Sequence, residues 1–223
     1  MRKCIFLLSF LLIASTAFAQ EVVRKPLTNL SYEGKRTKYA FYQQGKEIAR
    51  QTIAWKKMGP KILFHRGKIP DGVVKEYYAN GRLHIEATYK NNNFTGPYKT
   101  YYSNGNLKDF IQFKDNLRIG VCREYYQNGR IKFEGEYYKG RIIDYKKEFY
   151  PNGKLAREYF SRDGLMVKKM YYDEQGELVK EHESRFSEFL LQIRRAVGNL
   201  EPLVDRNEIK EETINLEEIN LGR

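Results

Sequence analysis

Cysteine is nearly missing from this chain of 223 residues: there are two, Cys4 and Cys122. Cys4 precedes the apolar part of what reads below as a cleaved leader, so no internal disulfide framework is left to hold a fold together. Histidine is equally scarce. His65, His84 and His182 stand far apart in sequence, in no spacing that suits a metal ion. No Gly-x-Ser-x-Gly or Cys-x-x-Cys occurs, and the glycines recur at turn spacing rather than as a phosphate-binding loop. Glu124, Glu134, Glu136 and Glu148 supply carboxylates. An acid–base pair needs a cleft that raises one pKa, and a sheet one layer thick offers none. These absences predict a protein that is not an enzyme and uses no cofactor or metal.

The one strongly apolar run, Ile5 to Ile13, is too short for a permanent membrane helix. Arg2-Lys3 precede it and Ala17-Phe18-Ala19 follow it, the order of a secretory signal peptide. The expectation is that residues 1–19 are removed after Ala19 and that the mature chain is secreted or periplasmic, without a transmembrane segment. Cys122 is then its one cysteine. It reads either as a reactive thiol or as a small apolar filler, and the filler reading fits better because Val74 and Tyr98 hold the equivalent repeat position.

What the chain has in abundance is a repeated phrase. Glu76-Tyr77-Tyr78-Ala79-Asn80-Gly81 returns as Thr100 to Gly105, Glu124 to Gly129 and Glu148 to Gly153, always twenty-four residues on. An apolar residue follows each turn: Leu83, Leu107, Ile131 and Leu155. A unit this short cannot bury its own apolar face, so the copies must stack. Worn versions at Phe41 to Lys46 and at Tyr171 to Gly176 extend the pattern from near Ser31 to near His182.

Aromatic and β-branched runs on both sides of Asn-Gly predict a β-hairpin per copy. A second set of turn residues, at Lys90 to Asn93, Lys114 to Asn116, Lys139-Gly140 and Arg162 to Gly164, predicts a continuous antiparallel meander. Pro151 fixes the register. It has no N–H to close a two-residue loop, so the loop has three residues, with proline first in a type I turn and Gly153 in the left-handed position. This sets Tyr77, Tyr101, Tyr125 and Phe149 opposite Leu83, Leu107, Ile131 and Leu155, the expected buried stripe. The other face, expected to be the solvated and recognition-capable one, should carry Glu76 across from His84, Glu124 across from Lys132, and Tyr78, Tyr102, Tyr126 and Tyr150.

The formal charge is +12, and +10 without Arg2 and Lys3; the stretch 206–223 holds three bases and five acids, so a basic body precedes an acidic tail. Basicity at this level attracts polyanions, or it merely keeps a tyrosine-rich sheet soluble and its edges unpaired. Beyond the array, Phe186, Phe189, Leu190, Ile193 and Val197 recur at helical spacing after a capping Ser184 and before Gly198. This stripe should either dock on the last hairpin or, with Arg185, Arg194 and Arg195, meet a membrane surface or partner. The expected division is a leader (1–19), a hairpin array (20–182), an amphipathic helix (183–200) and an acidic tail (201–223). Two sequons, Asn29-Leu30-Ser31 and Asn93-Phe94-Thr95, have meaning only where glycosylation occurs.

The stretch Gly120-Val121-Cys122-Arg123-Glu124-Tyr125-Tyr126-Gln127-Asn128-Gly129-Arg130-Ile131 resembles the MORN repeat variant. The resemblance implies an elongated all-β, single-layer antiparallel meander of hairpins with a C-terminal helix. It carries no catalytic position over. Related bacterial chains are often labelled YwqK-type antitoxins, and related repeats act as protein- or lipid-contacting scaffolds. The functional expectation is therefore a scaffold for another macromolecule, a protein first. The residues expected to touch it are Tyr78, Tyr102, Tyr126 and Tyr150 with Arg82, Lys108, Arg130 and Lys132. The alternative role for those rings is stacking within the sheet. Alternative functions are binding of an anionic lipid surface or polysaccharide, and an exported antitoxin or immunity protein. Nucleic acid is not expected for an exported chain.

Overall fold

The computed structural model describes residues 21–27, 36–162 and 165–197. The expected leader and its cleavage site, the acidic tail, Ser31 with the first sequon, Asp163-Gly164 and Gly198 lie outside them. Within them are fourteen strands in one open sheet and one helix. The first four strands are β1 (Val22–Pro26), β2 (Arg36–Gln43), β3 (Lys46–Lys56) and β4 (Gly59–Gly67). The repeats supply β5 (Gly72–Tyr77), β6 (Leu83–Lys90), β7 (Asn93–Tyr101), β8 (Leu107–Lys114), β9 (Leu117–Tyr125), β10 (Ile131–Tyr138), β11 (Arg141–Phe149) and β12 (Leu155–Arg162). β13 (Leu165–Tyr172) and β14 (Leu178–Glu183) complete the sheet, and α1 (Arg185–Val197) follows. No helix among the described residues is long and apolar enough to cross a membrane.

Strands β5 to β14 form the expected meander, with two turn types in alternation. In each Asn-Gly turn the glycine N–H returns to the tyrosine carbonyl three residues back, as Gly153 does to Tyr150 at 2.8 Å. Tyr150 N–H then closes on Lys154 O at 2.8 Å, the three-residue loop that Pro151 demands. The opposite turns use two residues, both at positive φ: Asn91-Asn92, Asp115-Asn116 and Lys139-Gly140. This is the twist that suits a tight hairpin. The worn copy at Gln44-Gly45 also takes the two-residue form.

The expected pairs are present, Tyr77 with Leu83 through Phe149 with Leu155. Beside them each hairpin carries a bulge. His84 and Lys132 are the extra residues, so Ile85 and Phe133 stand opposite Glu76 and Glu124. The bulged side chains still reach their carboxylates, His84 to Glu76 at 3.0 Å and Lys132 to Glu124 at 3.6 Å.

Two expectations need correction. The meander is not continuous, because β1 enters between β5 and β2, antiparallel to β2 and parallel to β5. Nor is the Tyr77 row the buried one: Tyr77 is 39% exposed, while Val74, Ala87, Tyr89, Phe94 and Phe113 on the other face are fully buried. The reason is a cover. The N-terminal strands curl over that face until β3 lies across the repeats, Trp55 meeting Phe94 and Tyr98 at ring distances of 5.9 and 5.5 Å and Phe41 meeting Tyr89 at 5.6 Å. Each ring so buried contributes about 1.5–3 kcal/mol.

Ser184 caps α1 as expected, its Oγ accepting the Ser187 N–H at 3.2 Å. Of the apolar stripe, Phe186, Phe189 and Ile193 stay exposed, at 70%, 56% and 40%, and among the described side chains of the helix it is Leu191 and Ser187 that are buried where α1 meets β13. Glu188 reaches Arg162 at 3.8 Å, and every residue of β14 remains exposed.

Candidate binding surface

One polar cluster pins the inserted strand to the repeats. Arg24 on β1 is wholly buried and donates to Glu76 at 2.8 Å, with its guanidinium 4.6 Å above the Tyr39 ring. The hydroxyls of Tyr89 and Tyr98 face the same guanidinium at 3.4 and 3.5 Å. Burial alone would raise the Glu76 pKa, but the His84 hydrogen bond and the Arg24 charge outweigh it and hold it below the usual carboxylate value. A carboxylate held low adds stability above its unfolded pKa of about 4.3 and loses it as pH falls through the lower folded value. Thermal melts between pH 6 and pH 3 should therefore show a shallower acid fall in Glu76→Gln than in the parent; equal slopes would refute the assignment.

The rows expected to contact a partner are partly committed to the sheet itself. The hydroxyls of Tyr78, Tyr102 and Tyr126 donate to the carbonyls of Tyr101, Tyr125 and Phe149 at 2.6–2.7 Å, and Tyr150 donates to Tyr172 at 2.8 Å. Arg82 and Arg130 reach the carbonyls of Ser103 and Pro151 in the next turn. These bonds staple successive hairpins. Lys108 sits 5.9 Å from the Tyr102 ring. The stapling was not readable from one copy, because each acceptor belongs to the next.

The structure nevertheless gathers Tyr126, Tyr150 and Lys132 with Glu124, Glu148 and Arg157 around one groove. That groove lies on the inner face, the side that the N-terminal strands cover over β6 to β9. Past the turn at Lys57-Met58 the cover ends: Gly135 and Tyr137 on β10 are still buried, while Phe133 and the same face of β11 to β13 are partly exposed. Its pairs include Gly135 with Lys146, Lys146 with Tyr159, and Tyr159 with Lys169. Lys146 stands 4.6 Å from the Tyr159 ring and 5.6 Å from that of Phe133, and Lys169 5.2 Å from Tyr159. The result is an open trough of rings with ammonium groups over them. Sequence reasoning missed Tyr137, Lys146, Tyr159 and Lys169 here, although their alternation along β10 to β13 marks one face.

The family model described as MORN repeat variant matches residues 70–91, 94–115, 118–139 and 146–163. These four units are MORN-variant repeats. In the MORN array the matched segments coincide with the hairpins from β5 to β12. No curated protein matches the chain. Among solved structures, one described as the GtfA/B complex bound to UDP and GlcNAc is 15% identical over 46% of this chain and 26% of that chain, with a TM-score of 0.25. So slight a likeness carries no argument.

Among the described residues no group of His, Cys, Asp and Glu could hold a metal ion. Cys122 is buried and burial pushes its thiol up to about 11, so the reactive thiolate is scarce at neutral pH.

Proposed function

We propose that the chain is an exported, non-enzymatic MORN-repeat scaffold that binds an acidic segment of another protein in the uncovered trough over β10 to β13. One observation carries this reading. The face that is an aromatic core beneath β2 to β4 continues, with the same parity, past the buried Tyr137 into a half-exposed surface of Lys146, Tyr159 and Lys169. The half-exposed Tyr159 ring, with Lys146 and Lys169 over it, suits an interface, because tyrosine gives area at little rotamer cost and lysine selects an acidic partner. Tyr126, Tyr150 and Lys132 form one flank of the same groove.

A photo-crosslinking residue placed at Tyr159, on the inner face, should capture a partner in the extracytoplasmic fraction. The same residue at its neighbour Phe160, on the opposite face, should not. Tyr159→Ala with Lys169→Ala should weaken the purified complex about tenfold or more. Equal capture from both faces would sink the reading.

A further inference from the structure

We propose that the head of the trough is a binding pocket for a phosphate or sulfate ester carried on a sugar-sized body. The proposal goes beyond the protein-partner reading and does not rest on it. Where the N-terminal cover ends, a pocket of about 500 Å³ opens, lined by Lys57, Arg118, Arg141 and Lys146 together with Tyr137 and Tyr159. Its volume lies within the range of small-molecule sites. Among the described residues no Asp or Glu contributes to its walls.

The four cations come from distant places in the sequence, and a chain of backbone hydrogen bonds brings three of them together. Arg118 N–H donates to Met58 O at 3.2 Å, and Gly140 N–H donates to Arg118 O at 2.8 Å. The turn bearing Lys57, the start of β9 and the turn leading to Arg141 are thereby locked side by side. Gly140 is required at this junction, since a Cβ there would lie 2.5 Å from Met58 O. Lys146 is partly neutralised by Glu148 at 2.5 Å. Lys57, Arg118 and Arg141 pair with no carboxylate among the described residues, and Arg118 Nε is buried without an acceptor. Arg118 also lies 5.5 Å from the Tyr137 ring.

Gathering like charges without a counter-ion raises the free energy of the empty pocket, and an oxyanion relieves it. Guanidinium forks match the oxygens of phosphate and sulfate, and a phosphate monoester carries about −1.5 to −2 charges. A lone carboxylate would leave most of the positive charge unbalanced. The rings of Tyr137 and Tyr159 supply flat amphipathic walls for the body that bears the ester. A free sugar phosphate and an anionic residue of a polysaccharide share this chemistry.

Isothermal titration of the whole chain with glucose-6-phosphate, glucose and dextran sulfate tests the proposal and separates the sources. The expected result is saturable one-to-one binding of glucose-6-phosphate and none of glucose. Lys57→Ala and Arg141→Ala, both at exposed positions, should each weaken it roughly tenfold. Lys38→Ala, exposed on β2 and outside the pocket, should leave it unchanged. Tighter binding of dextran sulfate with the same dependence on Lys57 and Arg141 assigns the site to a polysaccharide. Absence of saturable binding by either anion, equal binding of glucose, or equal loss in Lys38→Ala would overturn the site, whether or not a protein partner is captured in the trough.

Discussion

Arg24→Met should lower stability by about 3–5 kcal/mol, because it removes the cation of a buried pair and leaves Glu76 without its strongest countercharge. Arg24 is fully enclosed and Glu76 nearly so. For a chain of this size that loss corresponds to roughly 10 °C or more in the melting temperature. The double variant Arg24→Met with Glu76→Leu should recover much of it, since a packed apolar pair is often no worse than a buried ionic one. Thermal melts of parent, single and double variants give the comparison. A single variant as stable as the parent would show that β1 is held by its backbone ladder alone. The consequence reaches past stability: β1 joins the N-terminal strands to the array, so loosening it loosens the cover over the core.

Gly59→Val should detach that cover. Gly59 sits at φ +151°, and a Cβ there would lie 2.1 Å from the carbonyl oxygen of Asn116, so the β3–β4 turn cannot stay against the β8–β9 turn. Neither backbone can yield without breaking the hairpin it closes. The expected cost is at least about 4 kcal/mol, in the range of severe single substitutions. Trp55 is the one tryptophan of the chain and packs between the layers on Phe94 and Tyr98. Its fluorescence should shift to the red and amide exchange should rise in β6 to β8, while the bond pattern of β10 to β13 persists. By contrast Gly81→Val, in an open turn with no neighbour within 4 Å, should disturb only its own loop. Unchanged Trp55 emission in Gly59→Val would refute the account of how the layers meet.

The repeat, its period and its turn geometry could be read from the chain because they are local. One proline excluded the two-residue loop, and periodicity carried the answer to the other copies. Which face is buried could not be read that way. Tyr77 and Leu83 look like a core pair, and they do sit opposite each other, but the N-terminal strands cover the other side. The parallel contact of Val22 and Val23 with Val74 and Lys75 spans some fifty residues and leaves no local pattern. The same holds for the pocket cations, since nothing in Lys57 announces Arg118 or Arg141 as neighbours. Tyr78 and its equivalents were correctly placed with Glu76, yet their hydroxyl partners lie in the following copy. The helix stripe misled for a related reason: periodicity gives an amphipathic face without telling which way it turns.

The cover reaches only as far as the β8–β9 and β10–β11 turns, and this makes length an adjustable property. Inserting a further copy after Gly153 would add two strands, about 10 Å of open face, without altering a single contact under Trp55. Anchorage and reach are thus inherited separately, and a lineage could lengthen the grip of such a molecule by gene duplication while leaving its foundation untouched.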